Sequence, residues 1–159
     1  MAGSEKWIIM TFRRATKEDL PAIIEMIAND ALGHLRERYK NPLPKEYYSA
    51  FERIDGDSNQ ELIAIENSEG EVVASFQLSF LQYLTYVGGI RCLVENVHVR
   101  EDQTGKGIGK QMFQWIIQRA KEKRVHLIQL TSNKLRPNAI RFYEGIGFKA
   151  THEGFKLHL

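Results

Sequence analysis

A β-branched strand followed by three closely spaced glycines constrains the fold of this chain more than any other feature. Residues 94–100 form an apolar strand pattern, a polar turn follows, and Gly105-Lys106-Gly107-Ile108-Gly109 opens an amphipathic helix pattern. Glycines at the first turn of a helix leave backbone N–H groups uncovered at the positive end of the helix dipole. The segment therefore predicts a binding site for a phosphate-bearing ligand between a strand and a helix.

Hydrophobic periodicity places further elements around this strand and helix. Alternating and β-branched runs predict strands at residues 11–14, 61–66, 72–84, 91–100 and 126–131, with closing strand material at 147–159. Apolar residues three and four apart predict helices at residues 19–32, 45–54, 108–121 and 137–144. Thr16 and Asp19 form a capping-box-like start to the first helix. This order of elements predicts an α+β sandwich around one mixed sheet.

Length, charge and cysteine content limit the kind of protein this chain can be. A chain of 159 residues is the size of one domain, and a net charge of +2 lacks the basic excess of a nucleic-acid binder. No apolar run reaches the roughly 20 residues that span a bilayer. Cys92 is the single cysteine and no Cys/His cluster has metal-ligand spacing, which favours a cytoplasmic protein without a metal. Residues 1–9 lack a secretory signal pattern and are expected to be an N-terminal extension, native or added.

Two common nucleotide-binding patterns do not fit the glycine segment. A P-loop requires Gly-Lys-Ser/Thr, but Gln111 follows Gly109 and Lys110, and Gly105 lies one residue too close. A dinucleotide fingerprint requires Gly-x-Gly-x-x-Gly early in the chain, with an acidic residue downstream. Here the pattern is Gly-x-Gly-x-Gly and it lies late in the chain. Both patterns therefore fail on spacing.

A third pattern fits. The loop at residues 105–109, after a Val-x-Val strand, closely resembles the acyl-CoA pyrophosphate loop of the GNAT superfamily of N-acetyltransferases. About 35 residues later, Arg141-Phe142-Tyr143-Glu144-Gly145-Ile146-Gly147-Phe148 resembles the second signature of that family. The opening Phe12-Arg13-Arg14-Ala15-Thr16 is also typical of its N-terminus. The resemblance covers about residues 10–159, and two signatures in the right order and spacing are specific.

The resemblance implies a fold, a co-substrate and a set of binding residues. The fold is a three-layer α/β/α sandwich with a mixed, mostly antiparallel sheet, in a single N-acetyltransferase domain at residues 10–159. The co-substrate is acetyl-CoA, and no metal is required. The residues that the resemblance assigns to CoA binding are Val97, His98, Val99, Thr104, Gly105, Lys106, Gly107, Ile108, Gly109, Lys110, Asn138 and Tyr143. Thr104 and Arg136 depart from the residues that are usual in the family at those positions, whereas the glycines of the loop match it.

Two residues are candidates for catalysis. Glu95 interrupts an apolar strand just before the loop, and it is the candidate base that deprotonates the amine through ordered water. Its alternative is a carboxylate paired with a cation or facing solvent. Tyr143 matches the family's general acid, which protonates the departing thiolate, and its alternative is an aromatic anchor in the core. Main-chain N–H groups near Val97 are implied as the oxyanion site.

The acceptor is less constrained by the sequence. Residues 34–40 carry several cations that suit an acidic acceptor, or they form a solvated basic loop. Arg136 and Arg141 are further candidates for the CoA 3′-phosphate, and His152 faces either the acceptor or a neighbouring strand. We expect a small primary amine as acceptor, with a protein N-acetyltransferase or a non-catalytic acyl-CoA sensor as alternatives. Nucleic acid and membrane are not expected partners, and a homodimer through strand edges or the C-terminal segment is compatible with the sequence.

Overall fold

The computed structural model describes residues 8–159, which form one five-stranded sheet in the order β1-β2-β3-β4-β5. The first four strands are antiparallel, and β4 and β5 are parallel. The strands are β1 Thr11–Arg14, β2 Gln60–Glu66, β3 Val72–Gln82, β4 Ile90–Val99 and β5 Leu127–Gln129. The helices are α1 Leu20–Ala28, α2 Lys45–Asp55, the one-turn α3 Thr85–Gly88, α4 Ile108–Glu122 and α5 Pro137–Gly145. The α+β class and the mixed, mostly antiparallel sheet are confirmed.

Helices cover the sheet with two separate apolar cores. On one face α1 and α2 bury residues such as Ile23 and Phe51 against Ala64 of β2. On the other face the apolar stripe of α4 packs on β3 and β4, with Met112 and Phe113 fully buried. The apolar stripe predicted from the 3.6-residue period of α4 is therefore confirmed, because that face of the helix packs on the sheet. None of the helices within residues 8–159 is long and apolar enough to cross a membrane.

The strand that carries the candidate site is interrupted by a bulge. Ser75 of β3 lies opposite His98, whereas Gln77 lies opposite Glu95, so β4 contains one extra residue there. Asn96 adopts a left-handed backbone with φ of 52° at this point. Asparagine tolerates that conformation better than most residues, and the extra residue bends the strand.

The structure corrects three predicted boundaries. α1 ends at Ala28 rather than 32, because the chain folds back at Gly33, where a Cβ atom would lie 1.8 Å from the Ile27 carbonyl oxygen. β5 covers three residues rather than 126–131. The closing strand predicted at 147–159 is wrong: these residues are irregular and pair with no described strand. An alternating pattern becomes a strand only when a partner edge satisfies its backbone.

Candidate active site

The sheet opens at the middle of β4, which creates the entrance to the candidate site. β4 pairs with β5 only from Arg91 to Leu93, and within the described residues no further β5 pairing follows. The bulge at Asn96 lies just beyond the point where this pairing stops. Beyond Leu93, β4 therefore has no paired strand on its β5 side, while on its other side His98 and Val99 still pair with β3. The resemblance implied free main-chain donors near Val97, and these stay a prediction.

The glycine loop closes one end of this opening. Gly105 and Gly107 have φ values of 76° and 80°, a left-handed conformation that favours glycine, and Gly107 is the N-cap of α4. Ile108 is buried and fixes the first turn of the helix in the core. The N–H groups at the start of an α-helix have no acceptor within the helix. The loop therefore offers backbone donors and a positive dipole end to an anion, which suits the pyrophosphate of CoA.

The side chains of the loop are exposed and partly engaged with each other. The Thr104 hydroxyl donates to the Glu101 carbonyl oxygen at 2.8 Å. The Lys106 ammonium donates to Oε1 of Gln103 at 3.1 Å, and both this lysine and Lys110 are exposed. An exposed lysine beside an anion-binding loop contributes positive charge, but its flexible side chain has no fixed position. Their contact with a phosphate stays a prediction.

Tyr143 lies in a cluster of aromatic rings that joins α5 to α4. Its ring centroid is 5.5 Å from that of Phe113 and 6.0 Å from that of Phe148, both in edge-on arrangements. The neighbouring Phe142 reaches the loop, since a Cβ atom on Gly109 would lie 3.2 Å from the Phe142 ring. The second signature is thus packed directly against the first, and glycine at 109 permits the close approach of the two helices.

Glu95 and Tyr143 lie within electrostatic reach of each other although 48 positions separate them in the sequence. Burial raises the pKa of the Tyr143 phenol, Arg136 opposes that shift, and the charge of Glu95 adds to it. The phenol therefore stays protonated at neutral pH and is able to donate a proton. Glu95 is exposed, as in the alternative in which this carboxylate faces solvent, and it is accessible to water.

A polar group that the sequence did not reveal lies near His98 of β4. Arg136, at the start of α5, forms an ion pair with Asp30, which follows α1. Burial alone would raise the pKa of Asp30, but the hydrogen bond and charge of Arg136 outweigh it and lower that pKa. His98 lies close to this pair, and its pKa is lowered mainly by burial, while Asp30 opposes the shift. Asp30 belongs to no sequence motif, so the sequence contains no signal that identifies it as a residue of this site.

This pairing changes the expectation for two arginines. The charge of Arg136 is engaged by Asp30 rather than free to meet a 3′-phosphate. Arg141 is exposed and donates to the Asn138 side chain, one turn earlier in α5. Asn138 is itself exposed at the second residue of the helix. Among the described residues, Arg136 pairs with Asp30 outside α5, whereas Arg141 and Asn138 pair with each other.

The segment at residues 34–40 is exposed and forms internal pairs. Arg36 Nε donates to Glu37 Oε1 at 2.8 Å, and the Tyr47 hydroxyl donates to Oε2 of the same glutamate at 2.9 Å. Both Arg36 and Glu37 act electrostatically on His98, so this segment lies near that part of β4. His152 is distant from this arrangement in sequence, exposed, and hydrogen-bonded to the Thr151 hydroxyl.

Two other sequence predictions bear on the chemistry. Cys92 is fully buried in β4, and burial raises the pKa of its thiol to about 12. A thiol in that state is a poor nucleophile. Among residues 8–159 no three His, Cys, Asp or Glu side chains are grouped for a metal ion.

The family assignment follows from comparison with known proteins. Residues 28–148 match the model of the acetyltransferase (GNAT) family, so the chain belongs to that family. It is 27% identical over 141 residues to an L-methionine sulfoximine/L-methionine sulfone acetyltransferase of Pseudomonas paraeruginosa, covering 87% of this chain and 80% of the relative. It is 28% identical over 151 residues to an aminoalkylphosphonate N-acetyltransferase of Salmonella typhimurium, covering 92% of this chain and 90% of the relative.

A solved structure supports the fold over nearly the whole chain. A protein of Bacillus halodurans C-125, described as a transcriptional regulator, is 50% identical and superposes with a TM-score of 0.91. The superposition covers 95% of this chain and all of that one. The GNAT fold is therefore established for the chain.

Proposed function

We propose that this protein transfers the acetyl group of acetyl-CoA directly to a primary amine of a small-molecule acceptor. The observation that carries the proposal is the convergence of the glycine loop, the opening in β4 and Tyr143 at one end of the sheet. Packing of Phe142 on Gly109 and of Tyr143 on Phe113 joins the two signatures physically. The glycine loop supports CoA binding, and family membership supports an acetyltransferase.

CoA would bind along the opening between β4 and β5. Main-chain groups at Val97, His98 and Val99 would hold the pantetheine arm and the thioester carbonyl. The pyrophosphate would lie on the N–H groups of the glycine loop, since anions bind well at helix N-termini. The loop residues would be Thr104, Gly105, Lys106, Gly107, Ile108, Gly109 and Lys110, with Asn138 at the start of α5 nearby.

The reaction requires deprotonation of the amine, stabilisation of the oxyanion and protonation of the thiolate, and these groups would supply all three. The acceptor ammonium loses a proton to Glu95 through water, and the neutral amine attacks the thioester carbon. The main-chain donors near Val97 stabilise the tetrahedral oxyanion, a contribution of about 3–4 kcal/mol where single donors have been removed. When the C–S bond breaks, the Tyr143 phenol protonates the CoA thiolate. The nitrogen of the new amide gives up its second proton to the Tyr143 phenolate, which restores the phenol.

Transfer without a covalent enzyme intermediate is supported by the state of the only thiol. Cys92 is buried, and its raised pKa keeps it protonated at neutral pH. It also lies outside both signatures. A buried single thiol agrees with a cytoplasmic enzyme, which is the location we propose.

The proposed acceptor carries an acidic group beside its amine. Residues 34–40 present His34, Arg36, Arg38 and Lys40 at the acceptor side. The named acceptors of the two relatives, methionine sulfoximine or sulfone and aminoalkylphosphonates, are amines with an acidic or strongly polar group. A cationic wall would bind the acidic group and leave the amine directed towards the thioester.

One alternative has a specific observation in its favour. The Bacillus halodurans protein, at 50% identity, is described as a transcriptional regulator, which agrees with an acyl-CoA sensor rather than an enzyme. A sensor needs the CoA site but neither Glu95 nor Tyr143. A protein or peptide N-acetyltransferase is the other alternative, and it differs only in the acceptor.

Thiol release from acetyl-CoA tests the proposal. The panel contains aminoalkylphosphonates, methionine sulfoximine, amino acids, polyamines, aminoglycosides and short peptides. We expect amine-dependent release with an acidic small amine, and a loss in kcat of about 10²–10⁴-fold in Tyr143→Phe. Tyr48→Phe is the matched control, because that ring packs beside the α1–α2 core and away from the loop.

The outcomes separate the alternatives. Release with peptides alone indicates a protein acetyltransferase. Acetyl-CoA binding without release from any pool supports the sensor. If acetyl-CoA does not bind, the proposed function is wrong.

A further inference from the structure

An ion pair ties the N-terminus of α5 to the end of α1. Arg136 is the N-cap residue of α5, and its carbonyl oxygen accepts a hydrogen bond from Ile140 N at 3.1 Å. Its guanidinium donates to Oδ2 of Asp30, which follows α1. The Asp30 side chain is 16% exposed and that of Arg136 33%, whereas the surface pair of Lys134 and Glu153 is 84% and 68% exposed. Because solvent screens it less, the pair of Asp30 and Arg136 is able to hold the start of the helix in place.

A tight turn after α1 holds the Asp30 end of this pair. Gly33 N donates to the Asp30 carbonyl oxygen at 2.9 Å, and a Cβ atom on Gly33 would lie 1.8 Å from the Ile27 carbonyl oxygen. Glycine permits that close approach, so the turn places the carboxylate beside the start of α5. Burial raises the pKa of Asp30, but the hydrogen bond and charge of Arg136 outweigh that effect, and the carboxylate is charged at neutral pH.

Arg136 and Tyr143 lie towards the same face of α5. They are seven positions apart, which corresponds to two turns and a rise of about 10 Å. Side chains on a helix lean towards its N-terminus, so the Tyr143 ring leans towards the arginine. Phe113 packs edge-on against that ring at 5.5 Å and limits its movement. The helix is therefore held at its start by an ion pair and further along by aromatic packing.

The charge of Arg136 acts on groups of two elements. Burial raises the pKa of the Tyr143 phenol, Arg136 opposes that shift, and Glu95 adds to it. On β4, burial lowers the pKa of His98, Asp30 opposes that shift, and Arg136 adds to it. The guanidinium thus contacts the end of α1 and lies within electrostatic reach of both β4 and the Tyr143 hydroxyl.

We propose that Arg136, held by Asp30, is a positioning residue for proton donation by Tyr143. The inference rests on the proposed function, in which this phenol protonates the departing thiolate. Asp30 fixes the guanidinium and the first turn of α5 beside β4. The guanidinium then holds a positive charge on the face of α5 that carries Tyr143.

The charge is needed when the phenol gives up its proton. As the C–S bond breaks, the sulfur keeps the bonding electrons, the O–H bond of Tyr143 breaks and an S–H bond forms. The negative charge then resides on the phenolate oxygen. Burial and the charge of Glu95 disfavour a phenolate, and the guanidinium of Arg136 favours it. Asp30 cancels part of that positive charge, so the phenol is still protonated when the thioester is attacked.

Direct titration of Tyr143 tests the inference in the free protein. NMR of the whole chain with isotope-labelled tyrosine reports the phenol, and Tyr143→Phe identifies its signal. Arg136→Gln should raise the pKa of Tyr143 and Arg136→Lys should restore it, because only the glutamine lacks the positive charge. Asp30→Asn should lower that pKa, because asparagine still accepts a hydrogen bond from the guanidinium but has no charge. We expect shifts of about half to one pH unit.

The opposite signs separate this role from a purely structural one. Loss of a scaffold contact would move the Tyr143 titration in the same direction in Arg136→Gln and Asp30→Asn, or in neither, and either result would overturn the inference. Lys134→Gln is the matched control, because it removes an exposed cation two positions before Arg136 and should leave the titration unchanged. Near-ultraviolet circular dichroism checks that each variant is folded, and Arg136→Lys or Asp30→Asn alone still tests the sign if Arg136→Gln unfolds.

Kinetics distinguish failure of the inference from failure of the proposed function. Arg136→Gln should lower kcat about tenfold, the equivalent of one pH unit in the phenol, with KM for acetyl-CoA unchanged. A raised KM with unchanged kcat would assign Arg136 to CoA binding and overturn the inference alone. Parental kcat in Arg136→Gln together with a large loss in Tyr143→Phe would do the same. Full activity in Tyr143→Phe would show that the proposed proton donor is wrong, and the inference would fail with it.

Discussion

The part of the molecule built on β1 to β4 and the part that contains β5 and α5 differ in how completely their residues are buried. These two parts are called the β1–β4 side and the β5 side. All residues that are buried within the described chain lie between Ala15 and Ala120, and neither β5 nor α5 contains one. The strands β1 to β4 are paired along most of their length, whereas β5 pairs at three positions. The candidate catalytic groups lie on the boundary, since Glu95 is on β4 and Tyr143 is on α5.

Ion pairs reinforce the same difference. Glu61 is 3% exposed and accepts hydrogen bonds from Arg119 Nη2 at 2.6 Å and Arg119 Nε at 3.0 Å. Arg13 joins Asp19 and Glu66 at the opposite edge. On the β5 side, the pair of Lys134 and Glu153 is fully at the surface. The well-packed side is therefore the scaffold of the candidate site, and the β5 side has the weaker local packing.

The largest expected effect on stability comes from removing a buried side chain on the β1–β4 side, compared with a similar removal on the β5 side. Phe76→Ala removes a fully buried ring of β3 and should lower the free energy of unfolding by about 3–5 kcal/mol. Ile128→Ala, at a half-buried residue of β5, should lower it by about 1–2 kcal/mol. Urea titration of both variants measures the difference. Equal losses would show that the two sides are packed alike.

The next effect tests the buried ion pair. Burial would raise the pKa of Glu61, but Arg119, Lys123 and Arg14 together lower it, so the carboxylate stays charged at neutral pH. Glu61→Gln removes the buried charge that pairs with those cations and should cost about 2–3 kcal/mol. Glu153→Gln, at the surface pair, should cost less than about 1 kcal/mol. Thermal unfolding of the two variants compares them, and a loss from Glu153→Gln as large as from Glu61→Gln would contradict the comparison.

The third effect concerns the loop at the boundary. Gly107 has a φ of 80°, and alanine there should cost about 1–2 kcal/mol, mostly in the loop conformation that binds CoA. We expect acetyl-CoA affinity to fall about tenfold in a calorimetric titration. Gly145→Ala is the control, because that glycine has an ordinary φ and no atom near its Cβ position. Unchanged affinity in Gly107→Ala would mean that the loop does not hold the phosphates.

The smallest effect is a pH dependence at His98. The pKa of His98 is lowered by burial, with Arg136 and Arg36 also lowering it and Asp30 and Glu37 opposing them. The unfolded chain then binds the proton more tightly, so stability is lost as pH falls from about 6.5 through the folded-state pKa. In His98→Gln, the denaturation midpoint should change less with pH over that range than it does in the parent protein. A profile that matches the parent protein would exclude His98 as the titrating group.

Much of the fold was predictable because its signals are local. The hairpin turn at Asn67 to Gly70 and the N-terminus of α4 depend on residues within a few positions of each other. The capping box of Thr16 and Asp19 is equally local, with Thr16 N donating to Asp19 Oδ2 at 2.7 Å. The strand predicted at 147–159 failed because an alternating pattern specifies a surface but not the edge that will pair with it.

Local patterns of residues were enough to identify the glycine loop, the helix stripes and the family signatures, because each depends on backbone conformation or period over a short window. Which distant groups meet depends instead on the packed fold. It brings Glu95 towards Tyr143, ends the β4–β5 pairing at Leu93, and joins Asp30 to Arg136 across 106 positions. Such contacts depend on how whole elements pack against the sheet, and no local pattern of residues encodes that arrangement.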